Sequence, residues 1–290
     1  MARRSPAVDR TVAILNHLAA RPREQFTLSE LARDLDLNKA TAHALLATLV
    51  EAGYLVRYED AKTYGLGPAL IALGNAATAS YAAAAHVQAP MDRLSAEFDL
   101  ECVASTAIGG EIVILASSGT PRPLGINIQP GLRLPLVPPL GTVFVAWSGA
   151  RDIDRWLDRH GPDATDEDLD RYRRAIDVVR QRGFSVGLGG DDQQRLVESI
   201  QAPQARPRTP SAPGEEYALV ELADPTSYRL NHIGAPVFGP DGRVALAMFL
   251  IGFRGQIPAT EVPRYAERLV EEAEQVTMAV HGVVPVVPPA

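Results

Sequence analysis

The chain has 290 residues, 46% of them hydrophobic and 22% charged, which supports packed cores and excludes a wholly disordered polymer. No apolar run reaches the roughly 18 residues of a membrane span, and no apolar segment follows Arg3-Arg4. A soluble cytoplasmic protein with no membrane partner is therefore expected. The single cysteine, Cys102, excludes an intrachain disulfide and a cysteine-rich metal cluster.

Charge divides unevenly. Residues 1–70 carry nine Lys or Arg against eight Asp or Glu, while the whole chain has a net charge of −7. Bulk charge therefore argues mildly against nucleic-acid binding, and any such claim has to rest on motif geometry.

In chain order, Val8, Val12, Leu15 and Leu18 fall on one helical face that ends near Arg21-Pro22. Leu28, Leu31, Ala32 and Leu35 mark a second helix, with Thr27 or Ser29 as its cap and Glu30 near the positive end of its dipole. A break at Asp36-Leu37-Asn38 precedes a third helix with the stripe Ala42, Leu45, Leu46 and Leu49, closed by Gly53. Two short runs, Tyr54 to Tyr58 and Thr63 to Leu66, flank a polar turn and predict a hairpin. Helix, helix, turn, helix, hairpin is the order of a winged helix-turn-helix. Such units also occur as packing motifs, so the order alone leaves DNA binding and a packing role both open.

An alanine-rich linker helix is predicted over 68–85, opened by Pro68, and another helix carries Val87, Met91, Leu94 and Phe98. Strands are expected at 102–108 and 111–116 around Gly109-Gly110, and further on at 184–188, 216–223, 231–238 and 244–252. Helices are expected at 142–149, 151–159, 166–182 and from about 261 to 281. Four prolines make 201–214 a loose segment, and 283–290 reads as a loose tail. The result is an α+β chain with domains at 1–67 and 86–290 joined by the linker helix.

The stretch from Phe26 to Leu55, the exit Tyr64-Gly65-Leu66-Gly67, the run Gly131 to Leu136 and the run Gly234 to Val244 together resemble the IclR family of bacterial transcriptional regulators. The resemblance covers nearly the whole chain in order. It implies an N-terminal winged helix-turn-helix, a linker helix and a C-terminal GAF-like mixed α/β effector domain. It also implies a homodimer or homotetramer that binds double-stranded operator DNA, as a repressor, and responds to a small organic effector.

On this reading Lys39, Thr41 and His43 follow Asn38 at the start of the recognition helix, placed to reach the major groove. Thr27 and Ser29 would reach phosphates from the preceding helix, and Arg57 and Lys62 from the wing. The family often has a serine where Ala40 stands and an arginine where Ala44 stands, so base reading differs here; Arg3, Arg4 and Arg10 could add phosphate contacts. In the effector domain, positions the family fills with small polar residues correspond to His232, Phe249 and Ile251. Phe249 and Ile251 would wall an apolar cavity, with His232, Asn231 and Thr142 as polar anchors. Such a site suits an aromatic or phenolic acid or derivative better than a two-carbon acid. The plainer alternative is that Phe249 and Ile251 are core residues at strand spacing. A rival function is a metabolite-binding sensor or enzyme on the same fold that has lost specific DNA binding, motivated by Ala40, Ala44 and the acidic balance.

Other chemistry finds little support. Gly183-Phe184-Ser185-Val186-Gly187 matches the nucleophile-elbow pattern, with Asp224 and His232 following, but a charged helix precedes it where a strand is needed. The six histidines lack metal-ligand spacing, and Gly187 to Gly190 lacks the lysine of a phosphate loop. Asp191 and Asp192 read as a solvated loop. No catalytic residue, metal or cofactor is expected.

Overall fold

The computed structural model describes residues 5–22, 24–120, 128–160, 165–189 and 226–285. The expected strand at 216–223, the proline-rich segment at 201–214 and the last five residues lie outside these. The chain divides into two compact units, Met1–Tyr81 with Pro130–Leu132, and Ala82–Gln129 with Arg133–Ala290.

The first unit runs α1 (Pro6–Ala19), β1 (Phe26–Thr27), α2 (Leu28–Asp34), α3 (Lys39–Glu51), β2 (Leu55–Tyr58), β3 (Thr63–Leu66) and α4 (Ala69–Ser80). Pro6 opens α1, where its missing N–H costs nothing. Thr27 and Glu30 form a reciprocal capping box at the start of α2, satisfying two otherwise orphaned amides. Strand order in the small sheet is β1-β3-β2, antiparallel, with Phe26 opposite Tyr64 and Arg57 opposite Tyr64 on the other side. Ile14, Leu18, Phe26, Leu31, Leu46, Leu49, Leu55 and Tyr64 form its core.

Two glycines close the hairpin onto α3. Gly53 turns the chain at φ +73°, and a Cβ on Gly67 would collide with the Gly53 carbonyl. That approach lets Gly67 N–H donate to Tyr54 O at 2.7 Å and Ala69 N–H to Gly53 O at 3.1 Å.

The α1 stripe differs from expectation. Ile14 and Leu18 are buried, but Val8 and Val12 are 59% and 47% exposed. Only the C-terminal half of α1 meets the core, so its first two turns keep their valines in solvent.

The linker also differs. The single helix expected over 68–85 is interrupted at Tyr81, giving α4 and then α5 (Ala82–His86). The two pieces belong to different units: α5 buries Ala83 in the core of the second unit, whereas α4 leaves Ile71 and Leu73 exposed.

The second unit continues with α6 (Gln88–Phe98), β4 (Glu101–Ile108), β5 (Glu111–Ser118), β6 (Arg133–Pro135), α7 (Thr142–Val145), α8 (Ala150–Leu157), α9 (Asp166–Arg182), β7 (Ser185–Leu188), β8 (Ser227–Tyr228), β9 (Leu230–Phe238), β10 (Val244–Ile251), β11 (Ile257–Pro258) and α10 (Val262–Ala279). Six of these strands form one antiparallel sheet in the order β6-β5-β4-β10-β9-β7. The helix predicted at 142–149 ends at Val145, and Gly149, in an extended conformation, caps the start of α8.

The two faces of the sheet pack differently. On one, Cys102, Ala104, Leu246, Met248 and Leu250 meet Met91 and Leu94 of α6 and Leu269, Ala273 and Val276 of α10. Burial pushes the Cys102 thiol pKa up, so it is an inert apolar filler there. Glu272 of α10 is 2% exposed and is held by Arg93 Nη2 at 2.5 Å and Arg268 Nη2 at 3.0 Å. Burial pushes its pKa up, but those two guanidinium groups outweigh it and hold the carboxyl below its ordinary range. On the opposite face, Ile112, Ala247 and Phe249 meet Val143 and Phe144 of α7.

Candidate nucleic-acid interface and effector site

Asn38 sets the geometry of the first site. Its side-chain oxygen accepts from Thr41 N at 2.8 Å, capping α3. Ala42, Leu46 and Leu49 turn into the core. The opposite side presents Lys39, Ala40, His43, Ala44, Ala47 and Thr48 to solvent, with Thr41 half-buried beside its cap. Ser29 on α2 and Arg57, Tyr58 and Lys62 on the wing are exposed as well.

Several of the candidate residues have other commitments. The Thr27 hydroxyl donates to Glu30 Oε2 at 2.8 Å, so its hydrogen is already directed within the cap. Arg57 lies 3.6 Å from Glu59, both exposed, a pairing weak enough to exchange for a phosphate. Arg10 lies exposed on α1, and Arg3 and Arg4 lie outside the described residues.

The second site is the α7 face of the large sheet. Register places Ile251 opposite both His232 and Glu101, and Phe249 opposite both Gly234 and Val103. On the far side of β9, Gly187 pairs with His232 and Ser185 with Gly234. The glycines explain the packing. A Cβ on Gly187 would collide with the His232 ring, and one on Gly234 would lie 2.5 Å from Phe249 Cε1. Each ring therefore lies across the bare backbone of a neighbouring strand. The two rings meet edge to face at 5.5 Å, and Phe249 continues to Phe144 at 6.4 Å.

His232, Phe249 and Ile251 thus come together. Thr142 opens α7, and its hydroxyl donates to Pro139 O at 2.8 Å. Asn231 precedes His232 on β9 and is half-buried. Burial, and then the nearby Arg182 charge, push the His232 pKa down to about 4, so its imidazole is neutral at pH 7.

Gly187 and Gly234 entered the sequence reading only within other patterns and Phe144 not as a site residue, although glycine in a strand beside an aromatic residue is a legible sign of close approach. Ser105, opposite Ala247 and 1% exposed, was also missed; its hydroxyl has no hydrogen-bond partner among the described residues. Its signal depends on sheet register, which local pattern does not carry.

Ser185 of the nucleophile-elbow pattern lies on a strand that follows a helix, the reverse of an elbow, and its hydroxyl donates to Gly234 O at 3.3 Å. Asp224, Asp191 and Asp192 lie outside the described residues. Among those described, no cluster of His, Cys, Asp or Glu could hold a metal, and no helix is long and apolar enough to cross a membrane.

Residues 7–59 match the model of the IclR helix-turn-helix domain. That match lies in the first unit, and the rest of the chain resembles IclR regulators at low identity. The chain is 24% identical over 278 residues to the HTH-type transcriptional regulator KipR of Bacillus subtilis, covering 96% of this chain and 98% of that one. The IclR transcriptional regulator of Alicyclobacillus acidocaldarius shares the fold with a TM-score of 0.69 at 22% identity, over 96% of this chain and 100% of the other. An IclR homologue from Microbacterium hydrocarbonoxydans, solved with 4-hydroxybenzoate, gives a TM-score of 0.64 at 19% identity, over 94% and 98%. The chain therefore carries an N-terminal helix-turn-helix that matches the IclR model, followed by a C-terminal mixed α/β domain of the same fold as these regulators.

Proposed function

We propose that this protein is a regulator of the IclR type that represses transcription by binding operator DNA as a dimer or tetramer, and that a small aromatic or phenolic acid changes that affinity. The observation that carries the effector class is the aromatic wall of His232, Phe249 and Phe144 on the α7 face, which suits an aromatic ring better than a two-carbon acid. His232, Asn231, Thr142, Phe249 and Ile251 are its proposed effector-binding residues. The Microbacterium homologue, solved with 4-hydroxybenzoate, supports the class by analogy.

On the DNA side, Asn38 caps the recognition helix and Lys39, Thr41 and His43 enter the groove. Ser29, Thr27, Arg57 and Lys62 lie along the phosphates. Exposed Val8, Val12, Ile71 and Leu73 support self-association of the first unit. The effector acts by favouring one arrangement of paired DNA-binding units over another.

Fluorescence anisotropy of the full chain against its own upstream DNA, with a random duplex as control, tests this. Salt-sensitive binding to the upstream duplex alone, changed by millimolar 4-hydroxybenzoate, is expected. Equal weak binding to both duplexes would instead favour a sensor without specific DNA binding. The exposed alanines at 40, 44 and 47 give that second reading its one physical argument.

A further inference from the structure

Ser105 lies on β4, opposite Ala247 of β10 on one side and Ile114 of β5 on the other. Val103 and Ala107 stand two residues away on its own strand and share its face. All four of these neighbours are apolar. Ser105 is 1% exposed, and its Oγ has no hydrogen-bond partner among the described residues. Buried hydroxyls elsewhere in this domain find a carbonyl: Thr106 donates to Ala245 O at 2.8 Å, Thr142 to Pro139 O at 2.8 Å and Ser185 to Gly234 O at 3.3 Å. A buried polar group left without a partner costs free energy, and such an exception has a reason when a ligand completes it.

Register places this hydroxyl beside the aromatic wall. His232 is opposite Ile251, Phe249 is opposite Gly234 and Val103, and Ser105 is opposite Ala247. Residues opposite one another in antiparallel strands share a face. His232, Phe249 and Ser105 therefore step diagonally across β9, β10 and β4, one strand over and two residues along each time. The first step is a direct ring contact at 5.5 Å. Diagonal neighbours of the second kind lie about 7–8 Å apart at the backbone, a span that one substituted ring bridges. The side chains at the Ser105 end, Ala107 and Ala247, are short. A β-bulge also falls here: Leu115 is an extra residue opposite the step from Ala104 to Ser105. It turns Ile114 to the face of Ser105 while Ala116 packs with the core on the other face, the kind of local re-aiming common beside functional sites.

We propose that Ser105 is the hydroxyl-recognising end of the effector site, sharing a hydrogen bond with the ring hydroxyl of a phenolic acid whose ring lies against Phe249. This rests on the reading of that face as the effector site and deepens it by naming the substituent that is recognised. A site that hydrogen-bonds a ligand hydroxyl rejects the analogue lacking it, because its own buried polar group then stays unpaired.

The test is calorimetric titration of the full chain with two probes of equal charge, 4-hydroxybenzoate and benzoate, and with glycolate as a two-carbon hydroxy acid. Wild-type protein should bind 4-hydroxybenzoate about 3–10-fold more tightly than benzoate, the range expected for one neutral hydrogen bond. Ser105→Ala should abolish that preference while leaving benzoate binding unchanged, and Ser105→Thr, which keeps the hydroxyl, should retain part of it. Without ligand, Ser105→Ala should resist urea at least as well as wild type, because it no longer buries an unpaired hydroxyl; a serine with a purely structural role predicts the opposite. Equal binding of the two benzoates by wild type, or a preference that survives in Ser105→Ala, would overturn the Ser105 contact and leave the aromatic effector standing. Ser105-dependent binding of glycolate, with neither ring compound bound, would sink the aromatic effector and leave the contact. No binding of any of the three acids at millimolar concentration would overturn the contact outright.

Discussion

Acidification from pH 7 to pH 5 charges His232 in the unfolded chain but not in the folded one. Burial, and secondarily the charge of Arg182, hold its folded pKa at about 4 against an ordinary value of 6.5. Because the folded value is the lower one, the unfolded chain takes up the proton first. Stability from this residue is complete above about pH 6.5, falls as the pH drops toward 4, and levels off below it. The full gap is worth about 3 kcal/mol, but His232 retains some solvent exposure, so about 1–2 kcal/mol is the expected loss at pH 5. Urea unfolding at both pH values, for wild type and for His232→Asn, isolates the effect from the carboxylates that titrate in the same range. The asparagine variant should lose less stability between pH 7 and pH 5, by that amount. Equal losses in the two proteins would show that the imidazole is not held neutral and would remove the basis for placing it in a dry wall. Adding Arg182→Gln removes a charge that depresses the imidazole, so its folded pKa should rise and the acid loss should shrink.

Gly234→Ala should cost about 1–3 kcal/mol in urea unfolding, since the new methyl would meet Phe249 Cε1 at 2.5 Å and Ser185 Oγ at 2.8 Å. Phe249→Ala should recover part of that loss in the double variant; strict additivity would mean that the ring does not lie over Gly234. Glu272→Gln leaves Arg93 and Arg268 facing a neutral group in a site that is 2% exposed at the glutamate. It should cost about 2–4 kcal/mol at pH 7, with the difference from wild type narrowing as acid protonates Glu272; an unchanged urea midpoint would refute the pairing. Lys39→Ala should weaken binding to specific and random duplexes alike and reduce the slope of log affinity against log salt by about 1. A loss confined to one base position would instead make Lys39 a base reader.

Most of the first unit was legible because its signals are local. Of the two caps the pattern left open for α2, Thr27 is the one used, and Asn38 in the break before α3 and Gly53 at its end likewise act within four residues. The α1 stripe failed for a related reason. Periodicity identifies an apolar side but not how far along the helix the core extends, so Val8 and Val12 seemed equivalent to Leu18. The break at Tyr81 was illegible because an alanine-rich stretch has helical propensity throughout; what divides it is the docking of Ala83 into a core assembled from distant strands. In the sheet, alternation put Phe249 and Ile251 on one face, whereas the pairing of Phe249 with Gly234 and of His232 with Gly187 depended on register between strands far apart in sequence. Arg182 was hidden for the opposite reason. In a helix with four other arginines it reads as one more solvated charge, and only burial distinguishes it.

The same distinction between local pattern and environment bears on how the protein can work as a switch. The exposed side of α3 offers one lysine and one histidine among three alanines, and Arg57 on the wing is already near Glu59. Each phosphate contact releases counterions and contributes to affinity, so a surface with so few cations binds weakly as a single copy. Two copies held at a fixed spacing bind far more tightly without any new contact, and only while the spacing matches the DNA. A regulator built this way needs no large change at the recognition helix to release its operator. An effector that biases the spacing of paired units is sufficient, and the weaker each single contact, the larger the effect of a given mismatch. The sparse charge that argued against DNA binding at the level of composition therefore becomes a reason to expect that binding depends on assembly. Gel-shift titration of half-site and full-site duplexes checks this. A half-site bound as tightly as the full site would refute it.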